Sequence, residues 1–179
     1  MKHTIVALVE DKPGVLNRMA SLCRRRGFNI ESIAVGHSEI PHLPRMTIIV
    51  DGAITQVEQV RKQLDKLVAT IKVSDITAND MVTRELALVK VKATSATRSE
   101  IMQIVDIFRA NIVDVAPDSM TVEVTGDEDK IDSLLSLLRG FGIKEISKTG
   151  RIALTRGSSN PLGIEKEPST IPTKRRRAS

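Results

Sequence analysis

The chain has almost no sulfur chemistry and almost no aromatic surface. Its 179 residues include one cysteine, no tryptophan, no tyrosine and three phenylalanines. The lone Cys23 excludes an intramolecular disulfide framework and predicts a reducing compartment, the cytoplasm. With only Phe28, Phe108 and Phe141 as aromatic rings, the sheets have none to spare for stacking bases, the usual recognition surface of RNA-binding sheets. Histidine is scarce too. His3, His37 and His42, with one cysteine and no helical histidine pair, leave no metal site of the zinc type. There is no Gly-x-Ser-x-Gly elbow, no Walker loop, and no serine or cysteine beside a recognisable base, so the sequence predicts no active site. No apolar run approaches the roughly 18–20 residues of a membrane span. Strand-like sequence begins at Thr4, where a signal peptide would stand.

The formal charge is +5. Most of the excess sits in residues 155–179, where Arg156, Lys166 and Lys174-Arg175-Arg176-Arg177 outnumber Glu165 and Glu167. The rest of the chain is nearly balanced and has no nucleic-acid footprint. From Arg156 onward Gly, Ser and Pro interrupt a stretch without periodicity. Residues 155–179 are therefore expected to form a disordered basic tail.

Hydrophobic periodicity organises what remains. Residues 4–9 are nearly all apolar and read as a central strand. Val15, Leu16, Met19, Leu22 and Cys23 recur at helical spacing, which places Cys23 on a buried face. Arg24-Arg25-Arg26 and Gly27 end that helix. A strand follows from Asn29, a loop holding Pro41 and Pro44, then a strand in which Met46, Ile48 and Val50 alternate. Val57, Val60, Leu64, Leu67 and Val68 mark a second helix, and residues 70–76 a fourth strand. The order is βαββαβ, the ferredoxin-like pattern.

The pattern then repeats. Residues 86–91 form a strand, Ile101, Ile104, Val105 and Phe108 a helix, and Asn111-Ile112 echoes Asn29-Ile30 directly after it. Met120, Val122 and Val124 alternate in a strand, and Ile131, Leu134, Leu135 and Leu138 trace the last helix. Asp127, Glu128 and Asp129 stand at its start, where the helix dipole accounts for them. The expected fold class is α+β, with two tandem ferredoxin-like units over residues 1–78 and 79–154. The strands are aliphatic on both faces, so a second layer should cover them.

Two stretches of the first unit carry candidate chemistry. Asp11-Lys12-Pro13-Gly14-Val15-Leu16 joins the first strand to the first helix. Asp11 is the expected N-cap, Pro13 suits the first helical turn, and Gly14 admits a ligand to the backbone. Free N–H groups there favour a carboxylate. At the far end of the helix, Asn29 of Asn29-Ile30 offers a donor and an acceptor to an amino acid. The second unit has Ala93-Thr94-Ser95-Ala96-Thr97 in place of the turn, without Pro or Gly.

These residues resemble the ACT domain, a βαββαβ module that binds amino acids at the turn after its first strand. Over residues 2–157 the chain is similar to the small, regulatory subunit family of acetolactate synthase. The resemblance rests on the turn, Arg25-Arg26-Gly27-Phe28-Asn29-Ile30-Glu31-Ser32, Arg45-Met46-Thr47-Ile48 and Gln63-Leu64-Asp65-Lys66-Leu67. In the second half it rests on Arg84-Glu85-Leu86-Ala87-Leu88-Val89-Lys90-Val91 and Ile107-Phe108-Arg109-Ala110-Asn111-Ile112-Val113-Asp114-Val115.

The resemblance implies an N-terminal ACT domain, a C-terminal ACT-like domain and a homodimer formed through the ACT domains. It implies no catalysis on this chain. A large catalytic subunit would carry thiamine diphosphate, Mg and FAD and join two pyruvates into 2-acetolactate. The small subunit would stimulate it and make it sensitive to valine or another branched-chain amino acid. The effector residues implied are Asp11, Lys12, Pro13, Gly14, Val15 and Leu16 of one chain, with Asn29 and Ile30 of its partner. Two other readings remain: a scaffold subunit that senses nothing, and a nucleic-acid binder acting through the basic tail.

Overall fold

The computed structural model describes residues 1–25 and 27–164. Arg26 and the Lys174-Arg175-Arg176-Arg177 run lie outside the described residues. The first unit comprises β1 (Lys2–Val9), α1 (Val15–Arg25), β2 (Asn29–Gly36), β3 (Arg45–Asp51), α2 (Ile54–Asp65) and β4 (Thr70–Asp75). Its sheet has the order β2-β3-β1-β4, with every neighbouring pair antiparallel. The second unit repeats this with β5 (Met81–Lys92), α3 (Arg98–Ile107), β6 (Asn111–Ala116), β7 (Ser119–Gly126), α4 (Glu128–Arg139) and β8 (Ile143–Lys148), in the order β6-β7-β5-β8. The tandem βαββαβ fold is as the periodicity predicts.

Each unit packs its two helices on one face of its sheet. In the first, Ile5, Ala7 and Val9 of β1 meet Met19 and Cys23 of α1 and Val57, Val60 and Leu64 of α2. Cys23 is a core residue, and burial raises its thiol pKa. Val68 departs from the expected helix. It lies beyond α2 and is exposed, while Leu67 packs against the core. α1 ends in a Schellman arrangement. Phe28 N–H donates to the Cys23 carbonyl and Gly27 N–H to that of Arg24, with Gly27 at φ 71°.

The opposite face of the first sheet is also covered. Val6 and Leu8 join Ile76, Ala153 and Leu162 in a third apolar cluster, against which Ile40 and Met81 pack. Ala153 belongs to β9 (Ile152–Thr155), a short strand paired with residues 81–84 at the start of β5. This ribbon leaves the second unit and lies over the first. Arg45 donates through Nη2 to the Ala153 carbonyl at 2.8 Å, and Lys72 Nζ to the Gly163 carbonyl at 2.7 Å.

The tail expected from Thr155 is therefore corrected. Thr155 belongs to β9, and Leu162 is fully buried. Burying such a side chain contributes about 2 kcal/mol, which adds to the Lys72–Gly163 and Arg156–Asp80 hydrogen bonds in holding a Gly- and Pro-punctuated stretch in place. The remaining tail residues, 165–179, lie outside the described residues.

Candidate functional site

The turn between β1 and α1 is built differently from the expected helix start. α1 begins at Val15, so Asp11 is not its N-cap and Pro13 precedes the helix. Val15 N–H reaches the Lys12 carbonyl at 3.4 Å, and Gly14 has φ 83°. Pro followed by a left-handed Gly is the arrangement of a type II turn. A Cβ at Gly14 would meet nothing within 4 Å, so the glycine is there for its backbone angle and not to relieve crowding. Asp11 and Lys12 are exposed, with Lys12 Nζ 2.8 Å from Glu10 and Asp11 N–H bonded to the His42 carbonyl.

This turn leaves backbone donors free. Among the described residues, the N–H groups of Gly14, Leu16 and Asn17 donate to no backbone acceptor. They sit at the positive end of α1. Beside them is a cavity of about 160 Å³, lined by Val9, Val15, Leu16, Val35, Pro44 and Met46, with Glu10, Asp11 and Lys12 also lining it. Leu16 is half exposed although it follows the buried Val15. An apolar pocket beside free amides and carboxylates suits a small zwitterion with an aliphatic side chain.

Asn29 and Ile30 are not in this pocket. β1 and β2 both run antiparallel to β3 and hence parallel to each other. Asn29 aligns with Asp51, which aligns with Lys2, whereas Val35 aligns with Met46, which aligns with Ala7. Asn29 therefore lies at the far end of the sheet, about 20 Å from the turn. It is exposed, and its amide makes no side-chain hydrogen bond among the described residues. β2 is also an edge strand. Within one chain the two halves of the expected site remain apart.

The second unit closes both positions. Its buried Ile101 and Val105 correspond to Met19 and Cys23, which places Arg98 opposite Leu16. Arg98 Nη2 donates to the carbonyls of Ala116 and, at 2.8 Å, Pro117, filling the space between helix start and hairpin. Asn111, the counterpart of Asn29, donates to Glu123 Oε1 at 3.2 Å.

A further group of residues links the units. Lys2 Nζ contacts both Glu31 and Glu128, and Arg151 contacts the other oxygen of Glu128. Arg151 N–H donates to Ser32 Oγ at 3.0 Å. The hydrogen bond from Lys2 holds the Glu128 carboxyl below the usual carboxylate range, while desolvation acts the other way. The reading of Glu128 as a dipole-complementing helix start missed this role. Only the tertiary structure brings residues 2, 31, 128 and 151 together.

Among the described residues no group of three or more His, Cys, Asp or Glu could hold a metal ion, and no helix is long and apolar enough to cross a membrane. Two family models match: the AHAS (acetohydroxyacid synthase) small subunit-like ACT domain over residues 5–72, and the small subunit of acetolactate synthase over residues 84–157. The chain is 57% identical to a probable acetolactate synthase small subunit of Archaeoglobus fulgidus, covering 88% of this chain and 99% of that protein. It is 59% identical to its Methanothermobacter thermautotrophicus counterpart, covering 87% and 94%. The crystal structure of the Thermotoga maritima acetolactate synthase small subunit superposes with a TM-score of 0.81 at 41% identity, covering 89% of this chain and 99% of that one. The chain thus belongs to the acetolactate synthase small-subunit family, the regulatory, non-catalytic partners of the thiamine-diphosphate-dependent catalytic subunit in branched-chain amino acid biosynthesis.

Proposed function

We propose that the first unit is a cytoplasmic sensor of a branched-chain amino acid, valine first among them, and that its site is completed by a second copy of the chain. The observation that carries this is the trio of free N–H groups, on Gly14, Leu16 and Asn17, at the mouth of an apolar cavity of about 160 Å³. A ligand carboxylate accepts from these amides, and its aliphatic side chain lies against Val9, Val15 and Met46. An apolar cavity of about 150 Å³ accommodates a benzene-sized group, so a branched aliphatic side chain is in scale.

The free edge of β2 supplies the second half. Antiparallel pairing of β2 with its copy would bring Asn29 and Ile30 of one chain beside Val35 and Gly36 of the other. Val35 lines the cavity, so the partner's Asn29 would arrive at its mouth. There its amide oxygen, together with Asp11, accepts from the ligand ammonium. With ligand bound, the dimer transmits feedback inhibition to the catalytic subunit; without it, the dimer stimulates catalysis.

Titration calorimetry with valine, leucine and isoleucine tests this. Binding with one site per chain is expected for at least one of the three, and Asn29→Ala should weaken it about tenfold or more through the loss of a charge-assisted hydrogen bond. Absence of heat for all three ligands refutes the sensor. Stimulation of the catalytic subunit that no branched-chain amino acid reverses would instead identify a scaffold.

A further inference from the structure

The strand start that reads the effector in the proposed site is tied directly to the second unit. Asn29 and Ile30 open β2, and its register against β3 shifts immediately afterwards, between Ile30 and Ser32. Glu31 is the extra residue at this bulge, and a bulge is where a strand can re-aim its side chains. Its carboxylate faces Lys2 Nζ, which is shared with Glu128, the first residue of α4. The next residue, Ser32, receives the Arg151 N–H, and Arg151 returns through its guanidinium to Glu128. The backbones approach closely here. A Cβ on Gly150 would lie 2.8 Å from Ser32 Oγ and 3.2 Å from the Ile33 carbonyl. Of the two residues beyond Ile30, Glu31 is thus linked to the start of α4 through the shared Lys2, and Ser32 contacts the turn between β8 and β9 directly.

We propose that Glu31, Lys2, Glu128 and Arg151 form the coupling that carries effector occupancy from the β2 start to the second unit. This rests on the sensor reading above. Ligand contacts at Asn29 and Ile30 set the position of the Glu31 bulge. The bulge determines how Lys2 is divided between Glu31 and Glu128. That division sets how α4 and the β8–β9 turn sit against the first sheet. Glu128 is the hub, since each of its carboxylate oxygens receives a different cation. Coupling of this kind is a differential free energy between two arrangements and is reciprocal between the sites it joins.

The test uses the full-length protein reconstituted with its catalytic subunit. Glu128→Gln keeps the shape of the hub and removes its charge. Glu31→Gln removes the charge at the bulge. Valine binding is read by calorimetry, stimulation by acetolactate formation without valine, and coupling by the valine concentration giving half-inhibition. The proposal expects folded variants that stimulate and bind valine as the parent does, with half-inhibition moved to about fivefold higher valine or more, the lower end of typical allosteric couplings. Hydrogen exchange supplies the second readout. Valine should alter exchange in β9 and the first turn of α4 in the parent, but only in the first unit of Glu128→Gln. Unchanged half-inhibition in both variants, or an unchanged exchange response, overturns the coupling and leaves the sensor standing. A parent that binds none of the three amino acids overturns the sensor, and the coupling with it.

Discussion

The two units share a topology but use the outer faces of their sheets in opposite ways. Val6, Leu8 and Ile49 line the outer face of the first sheet and are buried. At the places of Val6 and Leu8 the second sheet has Leu88 and Lys90, with Glu123 paired to Leu88 and Thr121 and Glu145 aligned beside Lys90. One face is apolar and roofed by the ribbon of β5 and β9 and by Leu162; the other is mixed in charge. The duplicated fold has therefore divided its tasks. The second unit solvates its own sheet and lends a strand to cover the first. The first keeps an open turn and an unpaired Asn29 amide; the second fills the turn with Arg98 and pairs its Asn111 with Glu123.

Exchanging residues across this comparison should give the largest effect. Leu8→Lys places the second unit's cation under the roof, within the apolar cluster of Val6, Ile76, Ala153 and Leu162, and should cost about 4 kcal/mol or more. The reciprocal Lys90→Leu gives up only an exposed pair with Glu145 at 3.5 Å and should stay within about 0.5 kcal/mol. Urea denaturation of the two variants measures both. Similar losses would mean that the second face is covered after all.

The roof itself is tested by Leu162→Ala, which empties a fully buried site and should cost about 2–4 kcal/mol. Were residues 155–164 a free tail, as the composition suggests, the substitution would leave the melting temperature where it was.

That residue shows why part of the molecule was legible in sequence and part was not. Helices and central strands announce themselves by repeating apolar spacing, as in Met46, Ile48 and Val50, because one face must be buried along a whole element. Leu162 stands alone among Gly, Ser and Pro, and four-residue β9 is too short for alternation to register. The need for a cover was readable from the two-sided β1, but not which segment supplies it. The turn shows a different failure. Pro followed by Gly fits either a helix start or a type II turn, and only the positive φ of Gly14 distinguishes them. Asn29 was singled out for an amide that offers both a donor and an acceptor. That it lies an entire strand away from the turn follows from register, which spacing along the chain does not reveal.

Gly14 sharpens the contrast between the turns. Replacing it by Ala or Asp forces a side chain into the left-handed region, at about 1–2 kcal/mol. Its counterpart Ala96 is outside that region, so Ala96→Gly should also destabilise, by about 0.5–1 kcal/mol. The two Gly14 variants separate strain from chemistry. Both should lose similar stability, but Gly14→Asp sets a negative charge against the incoming carboxylate and should abolish valine binding, whereas Gly14→Ala should retain part of it. Equal binding by both variants would remove the carboxylate from the helix start.

The smallest effect is expected at the other end of the same helices. α3 closes as α1 does, with Ala110 N–H on the Val105 carbonyl and Arg109 N–H on that of Asp106. Where α1 has Gly27 at φ 71°, α3 has Arg109 at φ 50°. An arginine there bears the steric cost that glycine avoids, but it also sets a cation against the negative end of the helix dipole. Among the described residues Arg109 makes no ion pair, and its side chain is exposed, so strain should prevail over the weak dipole term. Arg109→Gly should stabilise the protein by a few tenths to about 1 kcal/mol, and Gly27→Arg should destabilise it by a similar or larger amount. Melting curves at low and high salt separate the two terms. Salt screens the dipole contribution, so the gain from Arg109→Gly should grow as ionic strength rises. A gain that shrinks with salt would mean that the cation, and not the backbone angle, governs this helix end.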